Sequence, residues 1–194
     1  MKSFFDVVNA RRSVRKFKPE PVPPEHITQM LDAARLAPTA GNQQPWKFLV
    51  VQDQAKIAEL KEACIEARLA KFEKQENPSP AKLAERRAEL VQYYQDFLSV
   101  PLCILVFTDD QSNYPSYNAH DGPLAAGHLI LAARSLGYGT VYTTDSVPEE
   151  VTRAVFGVPE QYRRVCLLPI GVPESWPERK AKKELAELVV YEAF

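Results

Sequence analysis

Apolar residues recur at helical spacing in several stretches of this chain, and short unbroken apolar runs lie between them. The first stretch, SFFDVVNARR, opens on Ser3 and carries Asp6 three residues later, the spacing of a capping box. Phe4, Val7 and Val8 then share one stripe, and the helix is expected to end near Arg12. PEPVPP (19–24) predicts a stiff loop, whose Pro24 suits the first position of the next helix. Ile27, Met30, Leu31 and Ala34 continue at i, i+3, i+4, i+7, and Pro38 lies just beyond. KFLVVQ (47–52) predicts a short buried strand. Residues 54–76 and 81–98 predict two long charged helices, parted by NPSP. Leu60, Cys64 and Phe72 mark the apolar stripe of one, and Leu83, Leu90, Tyr94 and Phe97 that of the other.

LCILVFTD (102–109) predicts a second strand, and a loop rich in Tyr, Ser and Asn follows it. HDGPLAAGHLILAARSLG predicts an apolar helix with Asp121 as its cap and Gly137 as its stop. GTVYTT predicts a third strand. SVPEEVTRAVFG repeats the capping-box spacing with Ser146 and Glu149 and stops at Gly157, and RRVCLLPIG predicts a fourth strand. Two helices precede the first strand and two long ones follow it, so the layout is α+β, with helices packed around one sheet. GYG at 137–139 follows a helix and enters a strand, the reverse of a dinucleotide-binding fingerprint, so no Rossmann fold is expected.

At 194 residues the chain can bury a core as one domain. A net charge of −1 argues against a dedicated nucleic-acid binder. No apolar run approaches a membrane span, and the N-terminus lacks the apolar centre of a signal peptide, so a cytoplasmic protein is expected. Three cysteines without a CxxC give no disulfide framework, and Cys103 and Cys166 lie in apolar runs as core thiols. His26, His120 and His128 lack metal-ligand spacing, so no metal site is expected.

Four stretches could carry chemistry. In RRSVRKF (11–17), Arg guanidinium groups bind phosphate oxygens through paired, charge-assisted hydrogen bonds, and Ser13 adds a hydroxyl donor. If the chain is extended after Arg12, Ser13 and Arg15 point to one side and Val14 to the other. A solvated basic helix end is the competing reading. APTAGNQQPWKF (37–48) holds three side-chain amides suited to the edge of a heteroaromatic ring, or is a plain helix-to-strand loop plugged by Trp46. LGYGTVYTTD (136–145) has glycines that let backbone approach a ligand near Thr143 and Thr144, or it is a tight turn. ERKAKKE (178–184) is a second cationic patch, or a solvated surface.

Taken together and in this order, RRSVRKF, APTAGNQQPWKFLVV, LAARSLGYGTVYTT, LPIGVPE and the basic C-terminal segment resemble the FMN-dependent nitroreductase family. The resemblance implies a central, mostly antiparallel sheet flanked by helices, in an intertwined homodimer whose C-terminal tails are exchanged. It implies that Arg11 and Ser13 hold the FMN phosphate with Arg12 nearby, and that Arg15 reaches the pyrimidine side of the ring. Pro38, Thr39, Ala40 and Asn42 would touch the partner's flavin, with Gln44 close behind. Thr143 and Thr144 would present backbone to the reactive part of the ring. Lys180 and Lys182 would complete the phosphate site, where the family often has arginine. The implied reaction is hydride transfer from NADH or NADPH through the flavin to a nitroaromatic, quinone or other conjugated acceptor. No catalytic side chain is needed, because the flavin carries the chemistry. Residues 54–98 would flank the substrate channel, with Tyr114 and Tyr117, or Tyr93 and Tyr94, as an aromatic lid. The tail LVVYEAF would add to the partner's sheet edge. Two alternatives stand beside this: a flavoenzyme of the same fold with dehalogenase, dehydrogenase or flavin-cleaving chemistry, and a non-enzymatic module that binds nucleic acid through both basic clusters.

Overall fold

The computed structural model describes residues 3–193. Its strands are β1 (Trp46–Val51), β2 (Leu102–Asp109), β3 (Gly139–Thr140) and β4 (Tyr162–Gly171). They form one sheet in the order β1-β2-β4-β3, every neighbouring pair antiparallel. The helices are α1 (Phe4–Ala10), α2 (Pro24–Arg35), α3 (Gln54–Glu76), α4 (Pro80–Leu98), α5 (Asn118–Ser135) and α6 (Glu149–Phe156). The α+β architecture expected from the sequence is present.

The pleat of the central strands sorts the core into two layers. Ile104, Val106, Cys166, Leu168 and Ile170 face α2 and α5, packing on Met30, Ala34, Leu129 and Ala133. Cys103, Leu105, Phe107 and Leu167 face the other way, onto Leu60 and Cys64 of α3 and Tyr94 and Phe97 of α4. Covered on both faces, β2 needs an unbroken apolar sequence, and LCILVF supplies it.

Several expectations are corrected. The Ser3–Asp6 capping box forms, but of the expected stripe on α1 only Val7 is buried; Phe4 is 65% exposed and Val8 43%. Strand β1 sits at the sheet edge, and only Val51 of its six residues is buried. Asp121 is no cap: α5 starts at Asn118, which puts Asp121 inside the first turn. The third strand shrinks to two residues, because pairing with β4 lapses after Thr140 and resumes only as a bridge from Thr143 to Leu167. Ser146 does not cap α6; Pro148 occupies that position, and the Ser146 hydroxyl accepts from Tyr93 instead. The tail from Leu188 to Ala193 holds no strand in a single chain, and Phe194 lies outside the described residues. No helix among the described residues is long and apolar enough to cross a membrane.

Candidate functional site

Arg11 ends α1 in an extended conformation (φ −62°, ψ 133°), and the chain leaves the helix there. It then lies parallel to β3: Ser13 bridges Thr140, and the Val14 N–H donates to Thr140 O at 3.0 Å. The side chains alternate as extended backbone requires, with Val14 buried and Ser13 and Arg15 exposed. This contact needs Gly139, since a Cβ there would stand 2.6 Å from Val14 and 2.8 Å from Pro173.

The exposed side of this segment lines a cavity of about 590 Å³. Arg11, Arg12, Ser13, Arg15 and Lys16 form one wall, and Arg179, Lys180 and Lys182 belong to the other. Against these seven cations stands one lining carboxylate, Glu178. Arg12 is engaged: its Nη1 donates to Asn9 O at 2.7 Å and Arg11 O at 2.8 Å, closing the end of α1. Lys16 pairs with Asp96 at 3.3 Å. Among the described residues, the side chains of Arg11, Arg15, Arg179, Lys180 and Lys182 have no hydrogen bond or ion pair. Five unengaged cations beside one hydroxyl suit an anion with several oxygens. Arg134 fixes the frame, its guanidinium 3.8 Å over the Trp176 ring and its Nε donating to Ala10 O at 3.1 Å. Burial and the neighbouring Arg12 charge lower its pKa.

The amide-rich loop lies elsewhere. Gly41, Asn42 and Gln44 all have positive φ (54°, 55° and 47°), a conformation free to Gly41 but costly for Gln44 unless the loop is held from outside. Asp121, buried, supplies it by accepting from the Ala40 N–H (3.2 Å) and from Gln43 Nε2 (2.8 Å). The Gln43 amide also pairs both ways with the Tyr114 backbone: Nε2 donates to the carbonyl at 3.1 Å, and Oε1 accepts from the N–H at 2.8 Å. The Tyr114 ring covers Gly41 so closely that a Cβ there would be 2.5 Å from the ring edge. Thr39 closes the loop by accepting from the Gln44 N–H at 3.3 Å. Gln43 and Asp121 hold the loop, yet neither is among the site residues expected from the sequence. The run GNQQ pointed at amides, but which one matters depends on a partner 71 residues away.

Thr143 and Thr144 form a third group. Thr143 is engaged with Leu167 through its N–H (3.2 Å), its carbonyl (2.9 Å) and its hydroxyl (2.7 Å), so its backbone N–H is not free for a ligand. Thr144 is exposed, and its N–H has no partner among the described residues. The carbonyls of Thr144, Asp145 and Ser146 are taken up in turn by Arg164, Arg68 and Tyr94. In a trans peptide the N–H points opposite the carbonyl, so the N–H groups of Asp145, Ser146 and Val147 face away from those side chains. Burial raises the Tyr94 pKa and lowers that of Arg164. The three thiols are buried and protonated, each pushed up to about 12 by burial, which suits core packing and not nucleophilic attack.

The cavity thus gathers Arg11, Arg12, Ser13, Arg15, Lys180 and Lys182, and excludes Pro38, Thr39, Ala40, Asn42 and Gln44. The loop docks on Asp121 in the first turn of α5, whereas the cavity adjoins Arg134 in its last turn. Thirteen positions at 1.5 Å each put Asp121 and Arg134 about 20 Å apart along the helix.

The chain is 30% identical over 195 residues to iodotyrosine deiodinase of Thermotoga neapolitana, with each chain covered completely. It is 30% identical over 191 residues to YfhC of Bacillus subtilis, to which NAD(P)H nitroreductase activity is provisionally assigned, covering 94% of this chain and 90% of that one. The crystal structure of an oxidized iodotyrosine deiodinase bound to FMN and 3-iodo-L-tyrosine superposes with a TM-score of 0.79 at 27% identity, covering 99% of this chain and all of the other. A nitroreductase-like family protein from Bacillus cereus shares the fold alone, with a TM-score of 0.75 at 22% identity over 100% and 98% of the two chains. With the Nitroreductase family profile matching residues 8–172, the chain belongs to that family.

Proposed function

We propose that this chain is an FMN-dependent oxidoreductase that works as a homodimer. The observation that carries the reading is the cavity itself, where Arg11, Ser13, Arg15, Lys180 and Lys182 stand unengaged around one space. That donor set fits a phosphate monoester. Arg11, Ser13, Lys180 and Lys182 bind the phosphate, and Arg15, two residues along the same extended face, sits beside the pyrimidine end of the ring. A cation there favours the negatively charged reduced ring, and at ~4 Å with an effective dielectric of about 20 its Coulomb contribution is roughly 4 kcal/mol before desolvation. Bound FMN supplies the hydride chemistry, so no side chain need act as acid, base or nucleophile.

The distance between the cavity and the 38–44 loop supports the dimer. One flavin touched by both takes the cations from one chain and Pro38, Thr39, Ala40, Asn42 and Gln44 from the other. Thr144, whose carbonyl is drawn back by Arg164, offers its side of the turn to the ring. Helices α3 and α4 border that turn through Arg68, Tyr93 and Tyr94, in keeping with a place beside the substrate channel. NADH or NADPH is the donor, and a nitroaromatic, quinone or other conjugated compound the acceptor. A second reading, reductive dehalogenation of a halogenated phenol, is favoured by full-length similarity to a deiodinase.

The test is an absorption spectrum of protein reconstituted with FMN. Blue and near-ultraviolet bands bleached by NADH or NADPH, and restored by a nitroaromatic or quinone, are the expected result. Iodide release from iodotyrosine with dithionite, and no restoration by nitroaromatics, selects the second reading. A colourless protein that binds nucleic acid with a steep salt dependence contradicts both.

A further inference from the structure

We infer that Arg164, Arg68 and Tyr94 are positioning residues that tune the flavin: they load the carbonyls of the turn at 144–146 and so strengthen the N–H donors on its other side. The inference rests on the function proposed above, in which this turn borders the ring. It is carried by the hydrogen bonds beneath the turn. Arg164 Nη2 donates to Thr144 O at 2.8 Å, Arg68 Nη2 donates to Asp145 O, and the Tyr94 hydroxyl donates to Ser146 O. The same hydroxyl accepts from Arg68 Nε at 2.8 Å, so side chains from α3, α4 and β4 make one brace. Tyr94, one of the tyrosines expected at an aromatic lid, is fully buried and belongs to this brace instead. The N–H groups of Asp145 and Ser146 share their peptides with the first two of these carbonyls and point the opposite way. Neither has a partner among the described residues. A carbonyl that accepts from a cation polarises its own peptide group, and the N–H of that peptide becomes a stronger donor.

The charge of the brace is largely uncompensated. Neither guanidinium has an ion pair among the described residues. Arg164 is half-buried, and its Nε and Nη1 atoms are buried without a hydrogen-bond partner. Glu149 and Glu150 are the carboxylates whose charge reaches it, but Glu149 is paired with Arg153 at 3.2 Å and Glu150 is exposed. An unpaired cation in the interior lowers stability, and an apolar residue would serve packing better. What the cation adds is a field, which a low dielectric carries further than water does. Reduction of FMN takes up two electrons and one proton and leaves a negative charge on the ring. The brace favours that charge through its own field and through the two N–H groups, and so favours the reduced cofactor over the oxidised one.

The test measures the two-electron reduction potential of bound FMN, against a reference dye, in wild type, Arg164→Gln, Arg68→Gln and Arg163→Gln. Arg163 is the control: it precedes Arg164 in the chain, is exposed, and pairs with Asp110 at 2.7 Å. R164Q and R68Q are each expected to weaken the hold on reduced FMN about tenfold relative to oxidised FMN, a fall of about 30 mV for a two-electron couple. R163Q is expected to leave the potential unchanged. Wild-type potentials in R164Q and R68Q overturn the inference. An equal loss of affinity for both oxidation states also overturns it, because the brace is then structural only. A fall of the same size in R163Q does so as well, because net charge alone then suffices. Should R164Q fail to fold, R68Q and Tyr94→Phe decide under the same criteria. A wild-type protein that takes up no FMN is a different failure, that of the function on which the inference rests.

Discussion

Gly41 holds φ at 54° with the Tyr114 ring in the space beside its Cα, so backbone conformation and side-chain packing both exclude a larger residue. An alanine in the left-handed region costs about 1–2 kcal/mol, before any displacement of the ring. Gly41→Ala is expected to lower the Tm by roughly 2–8 °C for a chain of this size and to weaken FMN uptake along with it. Thermal unfolding followed by circular dichroism, with and without FMN, checks this; an unchanged Tm with unchanged uptake refutes the packing account. At this scale the sequence was readable where chemistry is local. The alternation of Ser13, Val14 and Arg15 follows from extended backbone, and Arg11, Lys180 and Lys182 line one cavity. It was opaque where partners are distant. Asp121 reads as a helix cap from its neighbours, and only the approach of Ala40, 81 residues away, shows it to be an anchor. Thr143 reads as a ligand contact, but Leu167 takes up its backbone.

At the scale of elements, the long helices matched their expected spans because amphipathic periodicity and strong punctuation agree. Asn77 adopts the left-handed conformation that ends α3, and Ser79 with Pro80 starts α4. The third strand failed because β propensity in GTVYTT does not say how far a partner runs alongside. The C-terminal element is the least self-sufficient. In one chain Leu185, Leu188 and Tyr191 are 73%, 62% and 84% exposed, and Phe4 and Phe5 on α1 are 65% and 72% exposed. Deleting the residues after Leu188 is expected to shift the protein toward single chains and to reduce flavin retention at the same time. Light scattering coupled to size-exclusion chromatography, with the flavin absorbance recorded, measures both; a truncated protein that stays dimeric and yellow contradicts tail exchange.

At the scale of the whole molecule, the helix α5 sets the geometry. Its first turn fastens the amide loop through Asp121, and its last turn braces the cation cavity through Arg134, with about 20 Å between them. On the dimer proposed above, the cation cavity of one chain and the amide loop of the other would complete one site. The most direct measurement is a titration of the apoprotein with FMN, monitored by flavin fluorescence, with the mass of the loaded species determined by light scattering. The account predicts one FMN bound per 21.9 kDa chain, and only in particles of twice that mass. Saturable FMN binding by a stable single chain, or a folded protein that takes up no FMN in excess, would contradict it.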